Sequence, residues 1–146
     1  MPQIPQPLAD FARGILQSEA RTGDDPHDVA GALERACGML HERLAPLISS
    51  PGFEALIRRA VKLAGRDFPA LANVVVTARR DCSFSGLSGA LDAYDREQAD
   101  QAAAAVLGWF FHLLVIFIGE DLGLRKAREV WPGVPYRRGD SSTRAE

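Results

Sequence analysis

The sequence predicts an all-α protein, organised as a single-domain bundle of four to six helices around a central hydrophobic helix. Two observations support this fold class. Apolar residues recur at steps of three and four along several segments, which is the spacing of a helix that buries one face. One later segment, residues 102–119, has no Asp, Glu, Lys or Arg and is apolar on every face, as expected of a helix enclosed by other helices.

Length, composition and charge indicate the number of domains and one class of partner that is not expected. A chain of 146 residues has the size of one domain, and its 47% hydrophobic and 25% charged residues are close to the globular average. The formal net charge is −2, so the chain lacks the basic field that nucleic-acid-binding proteins usually show. We therefore expect no nucleic-acid partner.

Two features of the sequence bear on its compartment. Residues 1–7 carry no positive charge and no apolar core, so they do not have the pattern of a signal peptide. Cys37 and Cys82 are too few for a disulfide framework and are expected to be reduced. Both features predict a cytoplasmic protein.

The first two helices follow a proline-spaced arm, residues 1–7, which we expect to be extended. The first is a short amphipathic helix that ends near Gly23. The second is predicted to run from Pro26 to about Ile48, because Asp25 is a good N-cap and proline is favoured at the first helical position.

A third helix is predicted to start with Ser50 as its cap and Pro51 at its first position, and to end before Pro69. The segment after it, residues 69–88, has the least definite pattern. Residues 74–77 are β-branched and favour an extended conformation, but a lone strand has no obvious pairing partner. We therefore predict a buried loop or an irregular helix in this segment.

The last helix is predicted to run from Asp95 to Trp131 and to form the centre of the bundle. Asp95 is followed by a glutamine at capping-box spacing, and apolar side chains then cover every face up to Gly119. The helical pattern resumes after this glycine and stops at the Trp-Pro-Gly run. The bundle domain thus spans residues 1–136, and the polar residues 137–146 are predicted to form a disordered tail.

The apolar segment 102–119 is also long enough to cross a bilayer. Its leading alanines insert weakly, and a polar residue such as His112 is costly at the centre of a membrane. Trp109 is central too, whereas membrane tryptophans prefer the interfaces. The amphipathic helices elsewhere need a surface to bury against, so we predict a buried bundle centre and no membrane span.

Catalytic and cofactor-binding motifs are absent from the sequence, including phosphate loops, dinucleotide fingerprints and paired Cys-x-x-Cys. We therefore favour a non-enzymatic chain, with no catalytic residue and no cofactor. An enzyme that uses Glu120 or His112 as acid or base is the least supported alternative. Cys37 and His41 are four residues apart and share a helix face, as two metal ligands would. Two ligands do not make a site, so no metal is predicted.

Three residues towards the end of the central helix are candidate ligand-binding residues: Trp109, His112 and Glu120. His112 lies in the most apolar segment, where a hydrogen-bonded structural imidazole is the alternative to a functional one. Glu120 continues the apolar stripe three residues after Phe117 and so falls on the core side. A carboxylate there needs a partner or a raised pKa, and pairing with an arginine is the alternative to a ligand role.

Phe110, Phe111 and Phe117 are candidate interface residues. Enclosing one helix takes roughly five or six neighbours at the spacing of packed helices, and the chain offers fewer. The part of the central helix that the other helices leave uncovered would expose more apolar surface than monomers usually do. We therefore expect a homodimer or another protein partner. A small apolar ligand that fills the strip is the alternative.

These observations predict a non-enzymatic regulatory or adaptor protein that acts through helix–helix protein interaction. The alternative is a small-molecule sensor or binding bundle with a pocket near His112 and Glu120, because helical bundles build such sites between their helices.

Overall fold

The computed structural model of the chain describes residues 3–19, 26–78 and 82–136, and for residues 26–28 it describes the backbone alone. Within these ranges six α-helices form a bundle around the long helix α5, which confirms the predicted fold class. The elements in chain order are α1 (Gln6–Glu19), α2 (Pro26–Ile48), α3 (Ser50–Ala64), a 3-10 helix (Pro69–Asn73), β1 (Val75–Ala78), β2 (Cys82–Ser85), α4 (Leu87–Leu91), α5 (Arg96–Ile118) and α6 (Glu120–Val130). The predicted tail and the predicted end of the first helix near Gly23 lie outside the described residues.

The turn between α2 and α3 differs from its prediction by one residue. α2 has the predicted bounds, and Ser49 is the only residue between it and α3. The hydroxyl of Ser49 accepts a hydrogen bond from the N–H of Gly52 at 3.1 Å, so Ser49 is the cap. Ser50, the predicted cap, instead places its Oγ 2.9 Å from Nε2 of His41, and this contact joins the two helices.

The central helix α5 lies between α1, α2, α3 and α6, all of which pack against it. Its start has the predicted capping box between Asp95 and Gln98. Near its middle, Gly108 lets the N-terminal arm approach closely, because a Cβ there would lie only 3.1 Å from Cδ1 of Ile4. The sequence therefore predicts the central position of α5 correctly.

The predicted single helix from Asp95 to Trp131 is interrupted at Gly119, so this prediction was wrong in its length. Gly119 has φ 92° and ψ 154°, a conformation that is essentially restricted to glycine. Its N–H still bonds to the carbonyl of Val115 at 2.8 Å, which ends α5. Helix α6 begins at the next residue, and the break changes the direction of the chain between the two helices.

Residues 69–88 were predicted as a loop or an irregular helix, and the structure corrects this prediction. A 3-10 helix is followed by two antiparallel strands, in which Val76 pairs with Phe84 and Ala78 with Cys82. The side chains of these four residues are buried, whereas those between them are exposed. The partner of the first strand was missed because its sequence, Cys-Ser-Phe-Ser, is short and half polar, although it has the alternation of a half-buried strand.

Two helix carboxylates anchor the outer edges of the small sheet to the bundle. Oε2 of Glu34 on α2 accepts a hydrogen bond from the N–H of Phe84 at 3.0 Å, on the outer edge of β2. Oε2 of Glu54 on α3 accepts one from the N–H of Ala78 at 2.8 Å, on the outer edge of β1. A two-stranded sheet is marginal alone, and backbone donors without a partner are costly when buried. The sheet is therefore held between α2 and α3.

Candidate functional site

The outer side of α5 near its C-terminal end is apolar. Trp109, His112, Leu113, Ile116 and Phe117 share one side of the helix, because they follow one another at helical steps. Exposure rises along this side from the buried Trp109 to Ile116 and Phe117, which are 69% and 61% exposed. His112 and Leu113 between them are half-buried. We call these five residues the α5 outer face.

Phe110 and Phe111 lie in the core, and neither ring has exposed surface. The ring of Phe110 packs on Phe53 with centroids 5.1 Å apart, and that of Phe111 packs on Phe11 at 5.3 Å. Both rings thus pack inside the fold of the single chain, and their assignment to an interface stays a prediction. Of the three predicted interface residues, Phe117 is the exposed one.

Two members of the α5 outer face, Leu113 and Ile116, were not among the predicted site residues. Their signal was present in the sequence, since Leu113 lies four residues before Phe117 and Ile116 lies three residues after Leu113, and steps of three and four keep residues on one side of a helix. A helix that is apolar on every side does not itself reveal which side its neighbours cover. That information comes from tertiary packing.

The α5 outer face carries no charge from an acid, lysine or arginine. The sequence from 102 to 119 contains none of these residue types. The rings of Trp109 and His112 meet edge to face, with centroids 5.7 Å apart and an interplanar angle of 62°. Chemically the face can therefore offer dispersion contacts and apolar burial, with the imidazole of His112 and the indole N–H of Trp109 as its polar groups.

Glu120 is the first residue of α6 and is half-buried. Its Oε2 accepts a hydrogen bond from the hydroxyl of Tyr136 at 2.5 Å, so the carboxylate has the partner that a half-buried charge requires. Glu120 was placed on the core stripe by counting three residues on from Phe117 along one continuous helix. The helix is interrupted at Gly119, so this count does not hold and Glu120 is only half-buried.

The three predicted ligand-binding residues are distributed over two places. Glu120 lines an open cavity of about 520 Å³ along α6, together with Arg125 and Arg128. Trp109 and His112 do not line this cavity, and they contact each other on α5 instead. The cavity beside Glu120 therefore does not include all three residues, and a ligand role for each of them stays a prediction.

The two cysteines adjoin where α2 packs against β2. Burial raises the pKa of the Cys37 thiol well above its ordinary value, and a side-chain hydrogen bond with Cys82 and the negative charge of Glu34 act in the same direction. Both thiols are free and buried, at 0% and 7% exposure. A thiol held in its protonated form is a poor nucleophile, so Cys37 has the properties of a core packing residue.

His41, the other half of the possible metal pair, is also buried and has a partner in Ser50. Its ring meets Phe53 edge to face with centroids 5.1 Å apart. In the described ranges, no three His, Cys, Asp or Glu side chains are grouped as they would be around a metal ion.

Among the described helices, α5 is long and apolar enough to cross a membrane by length and composition. However, 56% of its most apolar 18-residue window is buried inside the chain, as in the core helix of a soluble bundle. The burial favours the predicted role as the centre of the bundle.

Comparison with known proteins finds no counterpart for this chain: no protein-family model, no curated protein and no solved structure matches it. Function must therefore be inferred from the chemistry of the chain's own surfaces.

Proposed function

We propose that the chain is a non-enzymatic regulatory or adaptor protein that acts through helix–helix interaction, and that the α5 outer face binds a second copy of the chain. The observation that carries the proposal is the exposure of Ile116 and Phe117, at 69% and 61%, on adjacent positions of the most apolar helix. Large apolar side chains grouped on one helix face, with steps of three and four, are the usual anchors of helix recognition.

The composition of this face favours a second copy as its partner. A two-fold contact brings each residue of the face against the same small set of residues, so like charges on the face would repel. From residue 102 to 119 there is no Asp, Glu, Lys or Arg, and such repulsion does not arise. Leu113, one turn before Phe117, provides a half-buried centre around which two helices can pack.

The size of the face limits the affinity. Burying one large apolar side chain contributes about 1.5–3 kcal/mol, and a two-fold contact buries Ile116 and Phe117 twice. The gross gain is on the order of 6–12 kcal/mol, against an association cost of about 4–15 kcal/mol. We therefore expect a concentration-dependent dimer that needs the half-buried members of the face as well.

Light scattering coupled to size exclusion, from micromolar to millimolar concentration, tests the proposal. The wild-type chain should approach twice its monomer mass of 15.8 kDa as concentration rises. Phe117→Glu should remain monomeric, because it places a charge against its own copy. Gln101→Glu is the matched control, since it adds the same charge at an exposed position in the polar half of α5 and should still dimerise.

Two outcomes would reject the proposal. One is a wild-type chain that stays monomeric over the whole concentration range. The other is a dimer that Phe117→Glu leaves intact while circular dichroism shows a native helix content, because the interface would then lie on another surface.

A further inference from the structure

A second surface, separate from the α5 outer face, combines charge with apolar lining. It is a groove of about 710 Å³ between the C-terminal half of α3, the 3-10 helix and β1. Four cationic side chains line it, namely Arg58, Arg59, Lys62 and Arg66, and the other lining residues are apolar or glycine. No carboxylate is among the lining residues. We call it the α3–β1 groove.

One of the four cationic side chains already has partners within the fold. Arg58 lies 3.6 Å from the carboxylate of Glu54 and donates from Nε to the carbonyl of Val76 at 3.1 Å. It therefore holds the small sheet against α3. Arg58 belongs to the wall of the groove rather than to the charge that the groove offers.

The other three cations form an unpaired stripe. Arg59 and Lys62 are three residues apart and thus share one side of α3, and Arg66 lies in the turn that follows the helix. All three are exposed, and within the described part of the chain none has an ion pair or a side-chain hydrogen bond. Lys62 and Arg66 also complement the negative end of the α3 dipole, but Arg59 lies too far from that end for the same explanation.

The wall opposite the cations is apolar. Val75 on β1 is 54% exposed, although valine is among the residues most often buried. Val74 beside it is half-buried, and Leu71 of the 3-10 helix is buried at the groove. The volume is within the range of small-molecule sites, roughly 300–1,000 Å³.

From this juxtaposition we infer that the α3–β1 groove binds an anionic amphiphile, a carboxylate or phosphate head on a single alkyl chain. The head contacts Arg59, Lys62 and Arg66, where charge-assisted hydrogen bonds are available to it. The alkyl chain lies against Val74 and Val75, whose exposed surface it removes from water.

Two other classes of occupant fit the groove less well. An extended acidic peptide would normally add to the open edge of a strand. On β1 that edge is closed, because the carbonyl of Val76 is bonded to Arg58 and the N–H of Ala78 to Glu54. Nucleic acid needs more phosphate contacts and aromatic stacking surfaces, and no aromatic residue lines the groove.

Isothermal titration calorimetry with dodecanoate and with dodecyl phosphate, each below its critical micelle concentration, tests the inference. Both should bind with one site per chain. Shortening the chain of the phosphate to ten and eight carbons should weaken binding by up to about fourfold per methylene. Dodecyltrimethylammonium lacks the anionic head, and inorganic phosphate lacks the alkyl chain. Both should bind at least tenfold more weakly than dodecyl phosphate.

Variants separate the groove from the rest of the surface. The double variant Lys62→Gln with Arg66→Gln should bind dodecyl phosphate at least tenfold more weakly than the wild type does. The control pair, Arg13→Gln with Arg43→Gln, removes the same charge from α1 and α2 and should bind as the wild type does. Val75→Ser should lower the affinity for dodecyl phosphate more than the affinity for octyl phosphate. All these positions are exposed, and circular dichroism checks that each variant is folded.

Several outcomes would overturn the inference. They are absence of binding, equal binding of the cationic and anionic amphiphiles, and an equal loss of affinity in the control pair. Vesicles of anionic phospholipid provide the last comparison. If the protein binds vesicles but neither monomeric amphiphile, the cations recognise a lipid surface, and the groove is not a site for a single amphiphile molecule.

Discussion

Glu34 on α2 accepts a hydrogen bond from the backbone N–H of Phe84 at 3.0 Å, although 50 residues separate the two in the chain. The contact occupies the outer edge of β2 and thereby fixes the small sheet to the bundle. It also closes an edge that would otherwise be open to pairing with another chain.

Removing this acceptor should destabilise the fold. Glu34→Ala leaves the N–H of the buried Phe84 without a partner, which should lower the free energy of unfolding by about 1–3 kcal/mol. Glu34→Gln retains a side-chain oxygen and should cost less. Glu42→Ala, at an exposed position of the same helix, is the control and should change little. Urea unfolding measures all three, and an equal effect of Glu34→Ala and Glu42→Ala would contradict the capping role.

This sheet illustrates what the sequence could not reveal. The limits of α2 were predictable because their signals are local, an N-cap followed by proline and a periodic apolar stripe. The strands were not, because the carboxylates that satisfy their outer edges come from α2 and α3, at distant points of the sequence. In the same way, Phe110 and Phe117 look equivalent on a helix that is apolar throughout, and only the neighbouring helices distinguish the core ring from the exposed one.

The break between α5 and α6 should depend on glycine. Gly119→Ala forces a Cβ into a backbone conformation with φ 92°, and should destabilise the fold by about 1–3 kcal/mol. Gly38→Ala is the matched control, since it lies within α2 with open space around the added methyl. That substitution should stabilise the fold by about 0.5–1 kcal/mol. Thermal unfolding shows the two signs, and stabilisation by Gly119→Ala would mean that the break is not required.

The buried thiol of Cys37 should make stability depend on pH in the alkaline range. Its pKa is raised in the folded chain, whereas in the unfolded chain a cysteine has a pKa of about 8.5. Above that pH the folded state binds more protons than the unfolded state. The free energy of unfolding should therefore fall with rising pH, by up to about 1.4 kcal/mol per unit, until the folded pKa is reached. Below about pH 8.5 the full contribution is present.

Urea unfolding of the wild-type chain and of Cys37→Ala, from about pH 7 to about pH 10, isolates this contribution. The difference between the two should be constant up to about pH 8.5 and should shrink above it. A difference that stays constant over the whole range would show that the folded thiol ionises as readily as the unfolded one.

The two sides of α5 should respond differently to truncation. Phe110→Ala removes a fully buried ring and should lower the free energy of unfolding by about 3–5 kcal/mol. Phe117→Ala removes an exposed ring and should change it by less than about 0.5 kcal/mol, at concentrations where the chain is monomeric. Denaturant unfolding measures both variants. Comparable losses would mean that Phe117 is part of the core.

The most direct measurement of the central claim is an isotope-filtered NOE experiment on a mixture of labelled and unlabelled chains at millimolar concentration. If the α5 outer face binds a second copy, the ring of Phe117 in one chain will show contacts to methyl groups of Leu113 or Ile116 in the other. Contacts between copies that involve only other surfaces, or none in a sample that is shown to be dimeric, would contradict the assignment of this face as the interaction surface.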